Sequence, residues 1–185
     1  MQHDPLTGLY SRSHFEARLA GMRDGGENPV SLIICNVDGL KLINNNLGHA
    51  EGDRLLVAAA ELLASGVRPR DMAARIGGDE LAVLLPACPG AAAEGVLGKI
   101  RAALETYNTD TTHPPIFLSI GLSTADFRTT STARLFHEAD KAMLRDKSAG
   151  RSRSHTAIVR WLEEHPEYAA EDGAPHSSGN GPADS

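Results

Sequence analysis

The sequence predicts an α+β domain in which one sheet is layered with helices. A continuous apolar run at residues 30–35 is flanked by chain breakers, which is typical of a central strand buried on both faces. Two runs in which apolar residues alternate with polar or small ones, at 72–76 and 81–85, flank a pair of glycines and predict a β-hairpin. Long segments with apolar residues at helical spacing lie between and after these strands. Helices mixed with an antiparallel hairpin favour the α+β class.

The remaining elements follow from local spacing and capping residues. Ser11 and Ser13 are candidate caps of a first helix that continues through Met22. Residues 41–47 form either a short helix or a loop, because three successive asparagines favour a turn or a helix end. We further expect helices at 51–65, 89–107 and 132–147, the last ended by Gly150, and a strand at 116–123.

The composition excludes several classes of protein. Of the 185 residues, 41% are hydrophobic, which is enough for a packed core in a single domain. No apolar run approaches the roughly 20 residues of a membrane helix, and the N-terminus lacks the pattern of a secretory signal. Two cysteines cannot build a disulfide framework, so we expect a cytoplasmic protein that does not enter a membrane.

The formal net charge of −6 comes from the C-terminal end of the chain. Residues 161–185 contain six acidic side chains and no Lys or Arg, whereas residues 1–160 hold 18 of each sign. A balanced domain lacks the broad basic face that a nucleic-acid polymer requires. The charge therefore excludes a general nucleic-acid binder but not a small anionic ligand.

The composition also divides the chain into three parts. Residues 1–155 form the predicted domain. Residues 156–168 carry a helix-like pattern and are expected to form a short C-terminal helix or a connector. Residues 169–185 offer almost nothing to bury, which predicts a disordered acidic tail.

Two groups of acidic and amide side chains could carry chemistry. The hairpin tip places Asp79 and Glu80 beside two glycines, which permit positive φ and let a ligand approach the backbone. An ordinary solvated turn has the same composition. The end of the first strand, from Asn36 to Asp38, supplies oxygens suited to a metal or a purine edge, and Asn44 and Asp53 follow soon after. Strand termination and helix capping are the simpler explanation of each of these residues taken alone.

Two basic groups could contact an anion. Lys41, Lys147 and Arg151 lie beside predicted element ends, where cations commonly bind phosphate. Cations near Gly150 could instead stabilise a helix C-terminus. Arg68 and Asp71, three residues apart, could clamp an anion and a base edge, or form a surface ion pair that contributes little to stability.

Taken in order, these motifs resemble the GGDEF domain, the catalytic module of bacterial diguanylate cyclases. The resemblance covers Asp4 to about Arg153, and its signature is Arg-Ile-Gly-Gly-Asp-Glu-Leu at 75–81, with Leu81 for the family's Phe. Other matching segments are Asp-Pro-Leu-Thr-Gly-Leu at 4–9, Val-Asp-Gly-Leu-Lys-Leu-Ile-Asn at 37–44, Gly-His-Ala-Glu-Gly-Asp at 48–53, Ser-Ile-Gly at 119–121, and Ala139-Asp140 through Lys147, Gly150 and Arg151. The ordered set is far more specific than the signature alone.

The resemblance implies both a fold and a reaction. The fold is a central, mostly antiparallel five-stranded sheet flanked by helices, similar to the nucleotidyl cyclase and ferredoxin-like palm. The reaction condenses two GTP molecules into cyclic di-GMP and releases pyrophosphate. Two domains meet face to face as a homodimer, each holding one GTP, and the 3′-hydroxyl of each GTP attacks the α-phosphorus of the other. Mg²⁺ or Mn²⁺ is the implied cofactor.

The resemblance also assigns roles by matching position. Asp79 is the catalytic carboxylate and a metal ligand, Glu80 supports it, and the Val37 backbone carbonyl is a further metal ligand. The other implied roles are guanine binding by Asn44 and Asp53, triphosphate binding by Lys41, Lys147 and Arg151, room for the nucleotide at Gly77 and Gly78, and product inhibition through Arg68 and Asp71.

One position departs from the family pattern. The family's first metal-binding Asp falls on Asn36, so the implied metal site loses one negative charge. Two hypotheses follow. The first is a diguanylate cyclase whose turnover Asn36 impairs, and the second is a catalytically inactive domain that binds GTP or cyclic di-GMP as a receptor.

Overall fold

A five-stranded sheet packed between helices is the centre of the structure, a computed structural model that describes residues 1–22 and 26–169. The strands are β1 (Tyr10–Ser11), β2 (Val30–Val37), β3 (Met72–Arg75), β4 (Glu80–Leu85) and β5 (Leu118–Ala125). The helices are α1 (Arg12–Met22), α2 (Leu40–Leu47), α3 (His49–Ser65), α4 (Gly90–Tyr107) and α5 (Thr132–Glu164), and a 3₁₀ turn at Pro166–Tyr168 follows.

The strand order is β1-β3-β4-β2-β5, with β2 inside the sheet. The short β1 pairs with β3 in parallel, and the other pairs are antiparallel. This arrangement confirms the predicted α+β class and the mostly antiparallel five-stranded sheet. Local spacing did not predict β1, because two residues are too few to show an alternating pattern.

Two hydrophobic cores lie on opposite faces of the sheet. One is built around α3 and α4 and includes Leu56, Leu63 and Ile100, all at most 2% exposed. The other packs α1 and the first half of α5 against the opposite face. Because helices cover both faces, all eight residues of β2 are buried, as the continuous apolar run predicts.

The α2 segment is a helix rather than a loop, and it contains all three asparagines. It begins after Gly39, which adopts φ +74° in the left-handed region. Leu42 and Ile43 anchor α2 in the core beside α3, with Ile43 fully buried. Tertiary packing therefore overrides the poor helix propensity of asparagine at this position.

The expected helix end at Gly150 is wrong, because α5 continues without a break to Glu164. Glycine inside a helix costs about 1 kcal/mol relative to alanine. Burial of Ile158 and Trp161 on the continued helix offsets this cost, since a fully buried large apolar side chain contributes about 1.5–3 kcal/mol. Trp161 Nε1 also donates to the Thr111 carbonyl oxygen at 2.8 Å.

The second half of α5 thus joins the body of the domain, although we predicted a separate helix or connector at 156–168. The division at residue 155 stays a prediction. The predicted tail lies outside the described residues from position 170 onward. Neither the 33-residue α5 nor any other helix in the described ranges is long and apolar enough to span a membrane.

Candidate active site

The tip of the β3–β4 hairpin lies against the end of β2. The Val37 backbone N–H donates to the Asp79 carbonyl oxygen at 2.8 Å, and Asn36 is paired in register with Glu80. The sheet therefore brings the family signature and the predicted strand-end residues to one edge. Asp79 and Glu80 are both half-buried there.

A chain of hydrogen bonds crosses this edge and ends on α5. The ammonium of Lys147 donates to Asn36 Oδ1 at 3.1 Å, and Asn36 Nδ2 donates to Asp38 Oδ1 at 3.2 Å. Ser119 Oγ, on β5, donates to the other oxygen of Asp38 at 2.6 Å. Asn36 is only 4% exposed, so its amide orientation is fixed by these partners.

Burial raises the pKa of Asp38 above its ordinary value, although hydrogen bonds from Ser119 and Asn36 and the charge of Lys147 oppose this effect. Both carboxylate oxygens of Asp38 already accept a hydrogen bond from the protein. Asp38 therefore stabilises the turn after β2, and its carboxylate is less available to bind a ligand.

The two hairpin glycines differ in how much space surrounds them. A Cβ at Gly77 would lie 2.6 Å from Glu80 Oε2, whereas a Cβ at Gly78 would meet nothing within 4 Å. Neither glycine adopts the positive φ that the sequence would permit at this tip. The close approach of the Glu80 side chain explains Gly77, and Gly78 leaves the exposed tip open.

An arginine ties the hairpin to the N-terminal turn. Arg75 donates to the carbonyl oxygens of Gly77 and Gly78 at 3.1 and 2.8 Å, and its guanidinium contacts the Asp4 carboxylate at 3.3 Å. Burial alone would raise the pKa of Asp4, but hydrogen bonds from Thr7 and Arg75 outweigh it and hold this pKa below its usual value. The hairpin tip is therefore fixed at both of its glycines.

Asn44 supplies an unsatisfied polar atom between α2 and α3. Its Oδ1 is buried and is the one buried side-chain N or O atom without a hydrogen-bond partner among the described residues. Gly52 on α3 allows this position, because a Cβ there would lie 1.7 Å from Asn44 Oδ1. Asp53, the next residue on α3, is exposed. The predicted guanine-binding pair thus lies where α2 packs on α3.

A cavity of about 160 Å³ lies between the turn after β2 and α5. Its lining contains two of the predicted phosphate-binding cations together with a histidine one helical turn further on: Asp38, Gly39, Lys147, Arg151, Ser154 and His155. The third predicted cation, Lys41, is exposed on the first turn of α2 and does not line this cavity. The sequence analysis missed His155 because it ended the helix at Gly150.

The Arg68–Asp71 pair lies apart from these residues, before the start of β3 rather than at its hairpin end. The Arg68 guanidinium donates twice to the carboxylate, from Nε at 2.9 Å and from a terminal nitrogen at 2.8 Å, and the Arg68 backbone N–H donates at 2.7 Å. The Asp71 side chain is 0% exposed and that of Arg68 is 35% exposed. The hydrogen bond to Asp71 raises the pKa of Arg68. This pair is more buried than the plain surface ion pair we considered.

The donor set at the strand edge fits a divalent cation only when further anionic oxygens are present. Asp79 offers a half-buried carboxylate, but Asn36 is neutral and its Oδ1 accepts from Lys147. In the described part of the chain, no three His, Cys, Asp or Glu side chains form a group that could hold a metal ion by themselves. Phosphate oxygens would complete such a set, since Mg²⁺ is commonly held by one or two carboxylates plus substrate phosphates.

Comparison with known proteins identifies the family. The family model described as "Diguanylate cyclase, GGDEF domain" matches residues 1–153. The diguanylate cyclase TpbB of Pseudomonas aeruginosa is 36% identical over 174 residues, which cover 89% of this chain and 40% of TpbB. The chain thus spans less than half of the length of this relative.

Solved structures agree with the sequence match. The GGDEF domain of TpbB is 35% identical, with a TM-score of 0.70 over 80% of this chain and 89% of that one. The diguanylate cyclase SiaD of Pseudomonas aeruginosa, in complex with its activator SiaC, is 30% identical, with a TM-score of 0.72 over 80% of this chain and 58% of that one. The chain therefore belongs to the GGDEF domain family of diguanylate cyclases.

Proposed function

We propose that this domain binds GTP and, as a face-to-face homodimer, condenses two GTP molecules into cyclic di-GMP and pyrophosphate. The 3′-hydroxyl of one GTP loses its proton and attacks the α-phosphorus of the other. An O–P bond forms, and the bond from the α-phosphorus to the bridging oxygen breaks, so that pyrophosphate leaves. Repeating the step in the opposite direction closes the ring. Relatives named diguanylate cyclases support this reaction.

The observation that carries the proposal is the unsatisfied Oδ1 of Asn44. A buried polar atom without a hydrogen-bond partner lowers the stability of the fold by about 1–3 kcal/mol. Such an atom is expected where a bound ligand supplies the missing hydrogen bond. Guanine presents adjacent N1–H and N2–H₂ donors along one edge. When the Asn44 side chain turns outward from Gly52, its Oδ1 accepts one of these donors, and the exposed carboxylate of Asp53 accepts another. Adenine lacks this pair of donors, which makes the site selective for guanine.

The remaining residues hold the reacting phosphates. Lys147 and Arg151 line the cavity beside the strand edge and bind the triphosphate, and Lys41 reaches it from the first turn of α2. Asp79 is the catalytic carboxylate at the hairpin tip, with Glu80 beside it. Gly78 leaves the tip open to the second nucleotide.

A divalent cation, Mg²⁺ or Mn²⁺, would be held by Asp79, the Val37 carbonyl and the nucleotide phosphates. When bound, it would neutralise charge that develops on the phosphate oxygens during transfer. Asn36 contributes a neutral oxygen where a carboxylate would add a full charge. We therefore propose that turnover is slow in this chain.

Guanine selectivity tests the proposal. Titration calorimetry of the intact chain should show that GTP binds at least roughly tenfold more tightly than ATP, and that Asn44→Ala reduces this ratio strongly. Asn46→Ala is the matched control, because Asn46 is exposed on the same helix and its side chain bonds only to the Leu42 carbonyl. Equal affinity for GTP and ATP, or an Asn44→Ala variant that behaves like Asn46→Ala, would contradict the proposal.

A second function is favoured by the Lys147–Asn36 contact. An ammonium within 3.1 Å of Asn36 Oδ1 places a protein cation beside the position from which a carboxylate is missing. A domain of this kind could bind GTP or cyclic di-GMP as a receptor without turnover. The two functions differ in one measurable result, since only the cyclase produces cyclic di-GMP from GTP.

The product is also the proposed ligand of the Arg68–Asp71 pair, where it would give feedback inhibition. Arg68 retains a 35% exposed side chain through which it could contact a product phosphate. We propose the cytoplasm as the location, in line with two buried, free cysteines.

A further inference from the structure

The second half of α5 adds a histidine to the phosphate-binding cavity. His155 lines the same cavity of about 160 Å³ as Lys147 and Arg151, yet it lies beyond residue 153, where the family match ends. The residue is exposed, and its ring is not engaged in any hydrogen bond within the described residues. Its imidazole is therefore free to donate to a ligand.

Helical spacing aligns the three basic side chains. Lys147, Arg151 and His155 are four residues apart on a continuous helix, so they lie on one face of α5. The row rises about 12 Å from Lys147 to His155 at 1.5 Å per residue. Lys147 lies at the inner end, where it contacts Asn36, and His155 lies at the outer end.

Packing fixes the rotation of the helix at His155. The flanking buried residues Ser154, Ile158 and Trp161 form an i, i+4, i+7 stripe that holds this part of α5 against the domain. The contact is close, because a Cβ at Gly39 would lie 2.2 Å from Ile158 Cδ1. The turn after β2 and His155 are thereby held on two sides of one cavity.

The size and charge of the cavity indicate its ligand. A volume of about 160 Å³ lies below the range of a pocket for a nucleoside-sized molecule, so it suits a phosphate group. Three basic side chains face one carboxylate, Asp38, whose two oxygens already accept hydrogen bonds from Ser119 and Asn36. The cavity therefore presents N–H donors to an anion.

We infer that His155 binds the terminal phosphate of the nucleoside triphosphate and thereby distinguishes GTP from GDP. This inference rests on the proposed function, because it takes the guanine edge to be held at Asn44. The α-phosphate then lies nearest the hairpin carboxylates, and the terminal phosphate extends along α5 past Arg151. His155 also contacts the pyrophosphate before it leaves, since pyrophosphate contains the same terminal group.

Affinities for GTP, GDP and GMP test the inference. In calorimetry on the intact chain, His155→Ala should weaken GTP binding roughly ten- to hundredfold, as expected for one hydrogen bond to a charged group, and leave the affinities for GDP and GMP within twofold. His155→Lys, which keeps an N–H donor at this position, should restore most of the GTP affinity. His137→Ala is the matched control, since His137 is exposed on the first half of the same helix.

The outcomes separate the two proposals. If wild type binds GTP with guanine selectivity and His155→Ala binds it equally well, the inference about His155 is overturned and the proposed function stands. An equal loss of GTP and GMP affinity in His155→Ala overturns it as well, since it indicates a general structural effect. If wild type binds no guanine nucleotide, both proposals are overturned.

Discussion

A single amide, Asn36, sets the charge of the strand edge beside the hairpin. It accepts from Lys147 and donates to Asp38, so it links a cation on α5 to a half-buried carboxylate. An aspartate at this position would form an ion pair with Lys147 and add a further carboxylate to the strand edge near Asp79. The identity of one buried side chain thus decides how much of the proposed cation's charge the protein itself would balance.

The Arg68–Asp71 pair gives a prediction at the same scale. Arg68→Ala leaves the buried Asp71 carboxylate with fewer partners, and we expect the free energy of unfolding to fall by about 1–3 kcal/mol in urea denaturation. The same variant should lose inhibition by cyclic di-GMP. Arg70→Ala is the control, because Arg70 is exposed in the same turn. Equal stability and equal inhibition in the two variants would refute a role for the pair.

At the scale of elements, the sequence predicted the sheet and the helices best where periodicity was strong. The buried strand β2, the hairpin, and helices α3 and α4 all appear within a few residues of their expected bounds. The strand β1 was too short to give a signal. The continuation of α5 was hidden by Gly150, because local propensity ends a helix there and only tertiary burial of Ile158 and Trp161 extends it.

The same limit explains which part of the site could be predicted. Motif residues at the strand edge and hairpin were found by their spacing and by the family resemblance. His155 was missed, because its alignment with Lys147 and Arg151 exists only on an unbroken helix. The contact between Asn44 and Gly52 joins two helices, and no single helix pattern contains it.

The turn between β2 and α2 requires a glycine at position 39, and this requirement can be tested by substitution. Gly39→Ala should lower the free energy of unfolding by about 1–3 kcal/mol, because the left-handed conformation costs an L-residue about 1–2 kcal/mol and the new Cβ meets Ile158. Gly95→Ala is the matched control on the exposed face of α4, where nothing lies within 4 Å, and it should raise stability by about 0.5–1 kcal/mol. Shifts of the same sign in urea denaturation would show that Gly39 is not under backbone constraint.

For the whole molecule, the proposed reaction requires two copies of the domain. In that reaction each copy would hold one GTP, and neither would provide both the attacking hydroxyl and the attacked phosphorus. The balanced charge of residues 1–160 allows two such domains to approach without strong net repulsion.

Turnover per domain should therefore rise with protein concentration and then level off as the dimer saturates. The measurement is the initial rate of cyclic di-GMP formation at saturating GTP over roughly a hundredfold range of protein concentration. The oligomeric state at each concentration, followed by sedimentation, serves as the control. A rate per domain that stays constant while the chain remains monomeric would argue against a two-domain reaction.

Chromatographic product analysis of GTP turnover, with Mg²⁺ or Mn²⁺, tests the central claim most directly. We expect slow formation of cyclic di-GMP and pyrophosphate by the wild-type chain, and a rate at least roughly tenfold higher for Asn36→Asp, because the added carboxylate strengthens cation binding. Binding of Mn²⁺ in the presence of GTP should tighten in parallel. Asn46→Asp adds the same charge at an exposed position on α2 and should leave the rate unchanged. If neither the wild-type chain nor Asn36→Asp forms cyclic di-GMP while both bind GTP, the domain is a receptor and the account of it as a cyclase is wrong.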